Sequence, residues 1–299
     1  MRIKSVFNDA VRFNKSRSEY NINEVDMNRI IVQPKEPIEM KEEFTEGANY
    51  TAQSLPYLFS KSSWYWLVYF KYLYSVKRVK KSESVVLDLG CGQGIIGDIL
   101  HRGTYLARSK YICIDAVKNK LEKAFNTVGG NVLAIQMHLK GDLSFIKSNS
   151  VDVVIALEII EHMTAKQGIK FIKEIYRVCK PGGDIIISTP NKESVVFSDE
   201  EKEEFKHGSH IHDFHVYEYG HTELARKMKR RGMQIINMFG VKHKDRAKPE
   251  LLLSEENQAL FNKLSKYHSK PFLRNVIMPV LSVEYSVDFV IHARKEVEE

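Results

Sequence analysis

Apolar residues in this chain gather into short dense runs separated by stretches of helical period. From Ser84 onward, Val85–Leu89, Tyr111–Ile114, Val132–Met137, Val151–Leu157, Asp184–Ser188 and Ile235–Phe239 each read as a buried strand. Between them, Ile95–Arg102, Lys118–Val128, Lys166–Cys179 and Thr222–Arg231 repeat apolar positions at helical spacing. Strands without polar alternation need cover on both faces. The alternation therefore predicts an α/β fold, a doubly wound and mostly parallel sheet. A last run, Ser286–Ala293, completes a sheet of seven strands.

Two regions fall outside this rhythm. Residues 1–45 are polar, show no sustained period and are broken by Pro34 and Pro37, which reads as a partly irregular N-terminal arm. Residues 46–299 form the one large domain. It opens with an aromatic-rich helical lead-in at 50–80, which holds Trp64, Tyr65, Trp66, Tyr69, Phe70, Tyr72 and Tyr74. Such residues pack a helix onto the sheet or line a pocket. An insertion at 241–281, with a helical stretch near Ser254–His268, precedes the last strand.

Composition narrows the setting. The 299 residues are 43% apolar and 28% charged, as in ordinary globular proteins. No apolar run is long enough to cross a bilayer, and Met1-Arg2-Ile3-Lys4 leads into a polar segment without a signal-peptide core. Cys91, Cys113 and Cys179 sit in core elements without metal-ligand spacing, which fits a reducing, cytoplasmic setting. The net charge of +7 rests partly on Lys77-Arg78-Val79-Lys80-Lys81 and on Arg226-Lys227-Met228-Lys229-Arg230-Arg231. Both clusters close predicted helices, where the dipole favours cations, so solvated helix ends are the simpler reading. A nucleic-acid partner stays open as the alternative.

The richest segment is Val85-Val86-Leu87-Asp88-Leu89-Gly90-Cys91-Gly92-Gln93-Gly94-Ile95-Ile96-Gly97. A buried strand runs into a glycine loop and a helix start, the arrangement that holds an adenosine-bearing cofactor. Gly92, Gly94 and Gly97 also satisfy the dinucleotide fingerprint, with Asp115 at the ribose distance. Asp88 separates the readings. A carboxylate beside a pyrophosphate repels it, whereas S-adenosylmethionine carries a sulfonium and an ammonium and no phosphate. With Asp-Leu-Gly-Cys-Gly-Gln-Gly, the segment resembles the first motif of the class I, Rossmann-like S-adenosylmethionine-dependent methyltransferases. The resemblance implies cofactor contacts from Asp88, Gly90, Cys91, Gly92 and Gly94. It implies ribose binding at Asp115, followed by Ala116; the plain alternative for Asp115 is a helix cap. At Gly141-Asp142-Leu143 it implies adenine contacts from Asp142 and from the amide of Leu143, although the following segment is shorter than the family pattern.

Ala156-Leu157-Glu158-Ile159-Ile160-Glu161-His162-Met163 resembles the Glu-x-x-Glu-His motif of ubiquinone-type, sugar-modifying and terminal-ribose RNA O-methyltransferases. By that resemblance Leu157 and Glu158 lie over the methionine end of the cofactor, while Glu161 and His162 face the acceptor as the catalytic pair. A His beside a carboxylate can take a proton from a hydroxyl as methyl transfer proceeds. Pro181, Gly182 and Gly183 serve a turn, and Ser188-Thr189-Pro190-Asn191 ends a strand at the edge where ligands collect.

His207, His210, His212 and His215 crowd the next segment. In the RNA enzymes a later histidine joins the motif around a divalent metal, which here would recruit Glu158, Glu161 and His162. His215-Val216-Tyr217-Glu218-Tyr219 instead resembles metal-independent enzymes of small molecules and glycans, which assigns His215 and Tyr217 to substrate and leaves a metal unneeded. The expectation is an S-adenosyl-L-methionine-dependent O-methyltransferase of a sugar or small molecule. An RNA or DNA acceptor, a nicotinamide oxidoreductase and a silent partner subunit are the alternatives, and the oligomeric state is open.

Overall fold

The computed structural model describes residues 7, 9–12, 20–26, 29–39, 71, 74–79, 83–206, 215–241, 254–270, 273, 277, 278 and 282–297. Within them the chain forms β1 (Tyr20–Asp26), β2 (Arg29–Pro34), β3 (Val85–Leu89), α1 (Ile95–Arg102), β4 (Lys110–Asp115), α2 (Lys118–Thr127), β5 (Asn131–Gln136) and β6 (Val151–Leu157). Then follow α3 (Ala165–Val178), β7 (Cys179–Pro190), α4 (Asp199–Lys206), α5 (His221–Lys229), β8 (Met233–Val241), α6 (Glu255–Leu264) and β9 (Asp288–Lys295). One sheet runs in the order β1-β2-β5-β4-β3-β6-β7-β9-β8. Its strands from β2 to β7 are parallel, and β9 enters antiparallel between β7 and β8.

The unbroken apolar strands do require cover on both faces. Leu87, Leu89, Ile112, Ile114 and Ile187 pack with Phe171, Ile172 and Ile175 of α3 and with Leu224 and Met228 of α5. Val86, Tyr111, Cys113, Ile155 and Ile186 pack on the other face with Ile96 and Leu100 of α1 and Leu121 and Phe125 of α2. Each buried aliphatic contributes on the order of 1.5–3 kcal/mol. The α3 start is fixed by a capping box, with Thr164 Oγ1 accepting from Gln167 N and the Gln167 side chain accepting from Thr164 N.

The seven expected strands stand in their expected places, and two more extend the sheet to nine. Within the N-terminal arm, expected to be partly irregular, Ile30, Ile31 and Val32 are buried and β2 lies parallel to β5, with β1 folded back upon it. Three apolar residues between Arg29 and Gln33-Pro34 are too few to set up a period, so the pattern hid them. Arg29 adds an anchor, donating from its guanidinium to the carbonyls of Phe125 and Val128 at the end of α2. The strand β7 also begins earlier than expected. Pro181, Gly182 and Gly183 form a bulge inside it, because the partner register jumps from Val151↔Cys179 to Val153↔Asp184.

Of the aromatic lead-in, Trp64, Tyr65, Trp66, Tyr69, Phe70 and Tyr72 lie outside the described residues, as do His207, His210 and His212. Tyr74 is described and does pack a helix onto the sheet. Its ring meets Phe239 edge-on at 4.9 Å, and its hydroxyl lies 3.0 Å from Nδ1 of the fully buried His292. The other His292 nitrogen is 2.8 Å from Asp184. The basic residues Arg226, Lys227 and Lys229 fill the last turn of α5, and Lys227 reaches back 3.5 Å to Glu223. No helix among the described residues is long and apolar enough to cross a membrane.

Gly97 brings α1 close to Tyr111 of β4 and to Val128 after α2. A Cβ there would lie 2.5 Å from Val128 Cγ2 and 2.7 Å from Tyr111 Cε1. Overpacking at such a contact costs about 1–3 kcal/mol. Gly97→Ala should lower the urea midpoint accordingly, and an unchanged midpoint would contradict this packing.

Candidate active site

The sheet order reverses at β3, which has β4 on one side and β6 on the other. At such a switch point the loops leaving the strands diverge and open a crevice beyond the carboxyl ends. The loop after β3 turns through Gly90, Gly92 and Gly94, whose φ angles are 73°, 54° and 81°. Side chains disfavour this left-handed region. Space adds a second demand. A Cβ on Gly90 would lie 3.0 Å from Ile159, and one on Gly94 would lie 2.7 Å from Ala124. A Cβ on Gly92 would meet nothing within 4 Å, so this backbone faces open space. Gly94 is the N-cap of α1 and offers no capping side chain, which leaves the first amides of α1 to a ligand or water.

Two acids frame the loop. Asp115, the last residue of β4, accepts from Gly92 N through Oδ2 and from Val117 N through Oδ1, both at 2.8 Å. Burial raises its pKa, and these two amides partly oppose the rise. The helix-cap alternative is met only in part, because the N-cap of α2 is Val117 and Asp115 makes a turn ahead of it. Ala116 is held in place by the Gln136 amide, which donates to its carbonyl at 3.0 Å. Asp88 lies beneath the loop, 3% exposed, and accepts from the Tyr111 hydroxyl at 2.5 Å. Burial pushes its pKa up to about 7, against the pull of Tyr111. Near neutrality it is therefore only partly ionised. Cys91 is buried beside it.

The end of β6 supplies the next group. Leu157 is buried, and Glu158 takes a φ of 54°, a left-handed conformation that costs a non-glycine residue about 1–3 kcal/mol and often marks a functional turn. Its Oε1 accepts from Lys71 Nζ at 2.8 Å and from Ser188 Oγ at 2.5 Å. Burial favours the neutral acid, but the Lys71 ammonium outweighs it and holds the Glu158 pKa below the usual range. Glu161, 1% exposed, behaves oppositely. Burial, with the Glu158 charge nearby, lifts its pKa well above the usual range. Its Oε2 accepts from Thr189 Oγ1 at 2.9 Å, and its carbonyl receives the amides of Val216 and Tyr217.

Those two amides bring the later segment to the motif. The His162 and His215 rings meet edge-to-face with centroids 5.3 Å apart. One oxygen of Glu161 and one nitrogen each of His162 and His215 lie within 4.8 Å of one another. His215 Nδ1 is hydrogen-bonded to Oε1 of Glu218, which is 2% exposed. Glu161, His162 and His215 are thus brought together beside Glu158.

Tyr217 and Asp142 are engaged elsewhere. The Tyr217 hydroxyl accepts from Lys192 at 3.3 Å and donates to Glu223 at 3.0 Å. Asp142 is exposed, caps Ser144 N at 3.1 Å and lies 3.6 Å from Lys170, while the Leu143 side chain is in the core.

A family model described as a methyltransferase domain matches residues 80–240. The chain belongs to the Rossmann-like S-adenosylmethionine-dependent methyltransferases. A mitochondrial ubiquinone biosynthesis O-methyltransferase of Dictyostelium discoideum is 31% identical over 118 residues, covering 36% of this chain and 35% of the relative. The ubiquinone biosynthesis O-methyltransferase of Saccharophagus degradans is 25% identical over 74% of this chain and 82% of its own length. For most of the curated relatives the match spans about a third to a half of the relative's length. Among solved structures, phosphoethanolamine N-methyltransferase 2 of Haemonchus contortus in complex with S-adenosyl-L-methionine superposes with a TM-score of 0.52. It is 20% identical and covers 88% of this chain and 61% of that chain, a likeness of fold.

The geometry adds neighbours to which the motifs gave no role: Lys71 and Ser188 bind Glu158, Tyr111 binds Asp88, and Glu218 binds His215. Ser188 and Glu218 lay within quoted segments, one at a strand end and one as the acid three residues after a histidine. The others come together solely through the sheet.

The Asp88 carboxyl makes a pH-dependent contribution. Its pKa is about 7 folded against 3.8 ordinarily, so the folded state holds the extra proton between those values. Stability conferred by that proton falls as pH rises through this window and levels off above it. Ionisation in the folded protein costs on the order of 4 kcal/mol. Asp88→Asn, which cannot ionise, should gain stability relative to the wild type between pH 5 and pH 8 in urea titrations. A constant difference across that range would contradict the burial of this carboxyl.

Proposed function

We propose that this enzyme methylates a hydroxyl of a sugar or another small polar molecule, with the acceptor oxygen placed at the Glu161–His162–His215 cluster. The observation that carries this reading is His215 held by the buried carboxyl of Glu218 beside His162. An imidazole whose Nδ1 is tied to a carboxylate keeps its other nitrogen as the basic one, and the carboxylate stabilises the imidazolium that forms. Glu161, whose pKa burial and the Glu158 charge push well up, fixes Thr189 through its side chain and the backbone of residues 216 and 217 through its carbonyl, so it shapes the pocket.

When bound, S-adenosyl-L-methionine supplies an electrophilic methyl group on a sulfonium. The open backbone at Gly92, the start of α1, Asp115 and Glu158 fit that cofactor, and Asp142 does not join them. The enzyme's work is placement and exclusion of water, with a base for the proton that the hydroxyl loses. The Saccharophagus relative, which matches most of this chain, carries the name of an O-methyltransferase.

A divalent metal on Glu161, His162 and His215 is the second reading, favoured by their mutual distance. Against it, the Glu161 side chain already accepts from Thr189, and Glu158 already pairs with Lys71. A nucleic-acid acceptor draws only on the basic clusters, and the one that closes α5 has the character of a solvated helix end.

Methyl-labelled cofactor offered with sugars, small phenols, RNA and DNA tests the reading. Label should enter a small hydroxylated acceptor. His215→Ala and His162→Ala should each lower kcat by roughly 10²–10⁴ at unchanged cofactor affinity, with chelators without effect. Transfer to RNA or DNA alone would overturn the acceptor class. Loss of activity in chelator, restored by magnesium or manganese, would establish the metal instead.

A further inference from the structure

Cys91 and Cys113 are nucleophilic side chains for which methyl transfer has no use. Cys91 lies in the glycine loop and Cys113 in β4, and both belong to the core on the α1 and α2 face of the sheet. The backbone brings them together. Asp88 of β3 is in register with Cys113, and the Cys91 amide donates at 3.1 Å to the carbonyl of Ile114, the residue after Cys113. The two thiols are in hydrogen-bonding contact.

The pair is not symmetric. Cys113 is sealed in the sheet at 0% exposure, whereas Cys91 is 8% exposed on a loop whose next residue, Gly92, faces open space. An outside reagent therefore meets the Cys91 sulfur first, and Cys113 stands ready to follow. The neighbouring Cys113 thiol and burial push the Cys91 pKa up, so little thiolate forms while the loop is closed. Hydrogen bonds from Gly90, Cys91 and Gly92 to Ile114 and Asp115 keep it closed. Local opening that breaks them exposes Cys91.

We propose that Cys91 and Cys113 form a thiol–disulfide modification site, oxidised by a low-molecular-weight disulfide, whose closure weakens cofactor binding. The Cys91 thiolate attacks one sulfur of that reagent, bonds to it and releases the other half as a thiol. Cys113 then gives up its proton and attacks the Cys91 sulfur, which releases the second half. The chain loses two hydrogen atoms, and the reagent carries them away as two thiols. A disulfide holds its sulfurs roughly 2.0 Å apart, well inside the contact distance of two thiols, so closure draws Cys91 towards β4. Gly92, its neighbour in the chain, is drawn with it, and the backbone that the cofactor approaches is displaced. Excess thiol reverses the exchange by the same two steps.

Oxidised glutathione applied to the full chain tests this, read by intact mass and by titration calorimetry with S-adenosylhomocysteine. The wild type should lose the mass of two hydrogens, and its affinity should fall at least about tenfold. Dithiothreitol should restore both. In Cys113→Ala the exchange should stop at one glutathione on Cys91, with circular dichroism to show that the variant is folded. Peptide mapping of the oxidised wild type needs no variant and should join the segments that carry residues 91 and 113. A chain that keeps all three cysteines, Cys91, Cys113 and Cys179, as free thiols would overturn the proposal. So would a cross-link through Cys179, or an oxidised chain that binds S-adenosylhomocysteine as tightly as the reduced one.

Discussion

The hydrogen bond from the Gly92 amide to Asp115 is the constraint on which the site depends. It joins the loop after β3 to the end of β4, and the second oxygen of the same carboxylate holds the turn into α2. Glycines let the loop adopt left-handed angles, but freedom alone does not choose a conformation. The carboxylate chooses it. Gly90 and Cys91 add their amides to the Ile114 carbonyl, so the loop is fastened to β4 along its first half and open where Gly92 faces the crevice.

Around that loop, environment gives similar side chains different chemistry. Asp88 and Glu161 are both sealed from water and both drift towards the neutral acid. Glu158 is drawn the other way by an ammonium that reaches it from the lead-in. Pairs of carboxyls pushed apart in this manner are how one site separates a charged contact from a neutral one at a single pH. The division also bears on the histidines. His215 finds its carboxylate partner in Glu218, its own neighbour along the chain, while Glu161 stands 4.0 Å from His162 and is held by Thr189 instead.

Much of the fold was legible because burial on both faces leaves unbroken apolar runs, and the seven core strands and the helices between them follow those runs closely. The hairpin of β1 and β2 was not, since Ile30-Ile31-Val32 is too short to outweigh its polar flanks. The site divides along similar lines. The glycines and Asp115 sit in a local strand–loop–helix pattern, and Glu158, Glu161 and His162 sit in a motif that was read through its resemblance to a family. Lys71 and Tyr111 meet their partners 87 and 23 residues away and no local spacing reports them, while Ser188, 30 residues from Glu158, was marked only by its place at a strand end. Asp142 shows the converse. A motif fragment was present, but its side chain lies at the surface, 3.6 Å from Lys170.

The measurement that bears most directly on this account is the affinity of Asp115→Ala for S-adenosyl-L-methionine by titration calorimetry, with circular dichroism to follow the fold. If the carboxylate sets the loop and receives the ribose, the variant loses charge-assisted hydrogen bonds of about 1.5–3 kcal/mol each before water compensates. Affinity should then fall at least about tenfold while the helices and sheet persist. An affinity equal to the wild type would mean that Asp115 serves only the turn into α2, and the loop would owe its shape to something else.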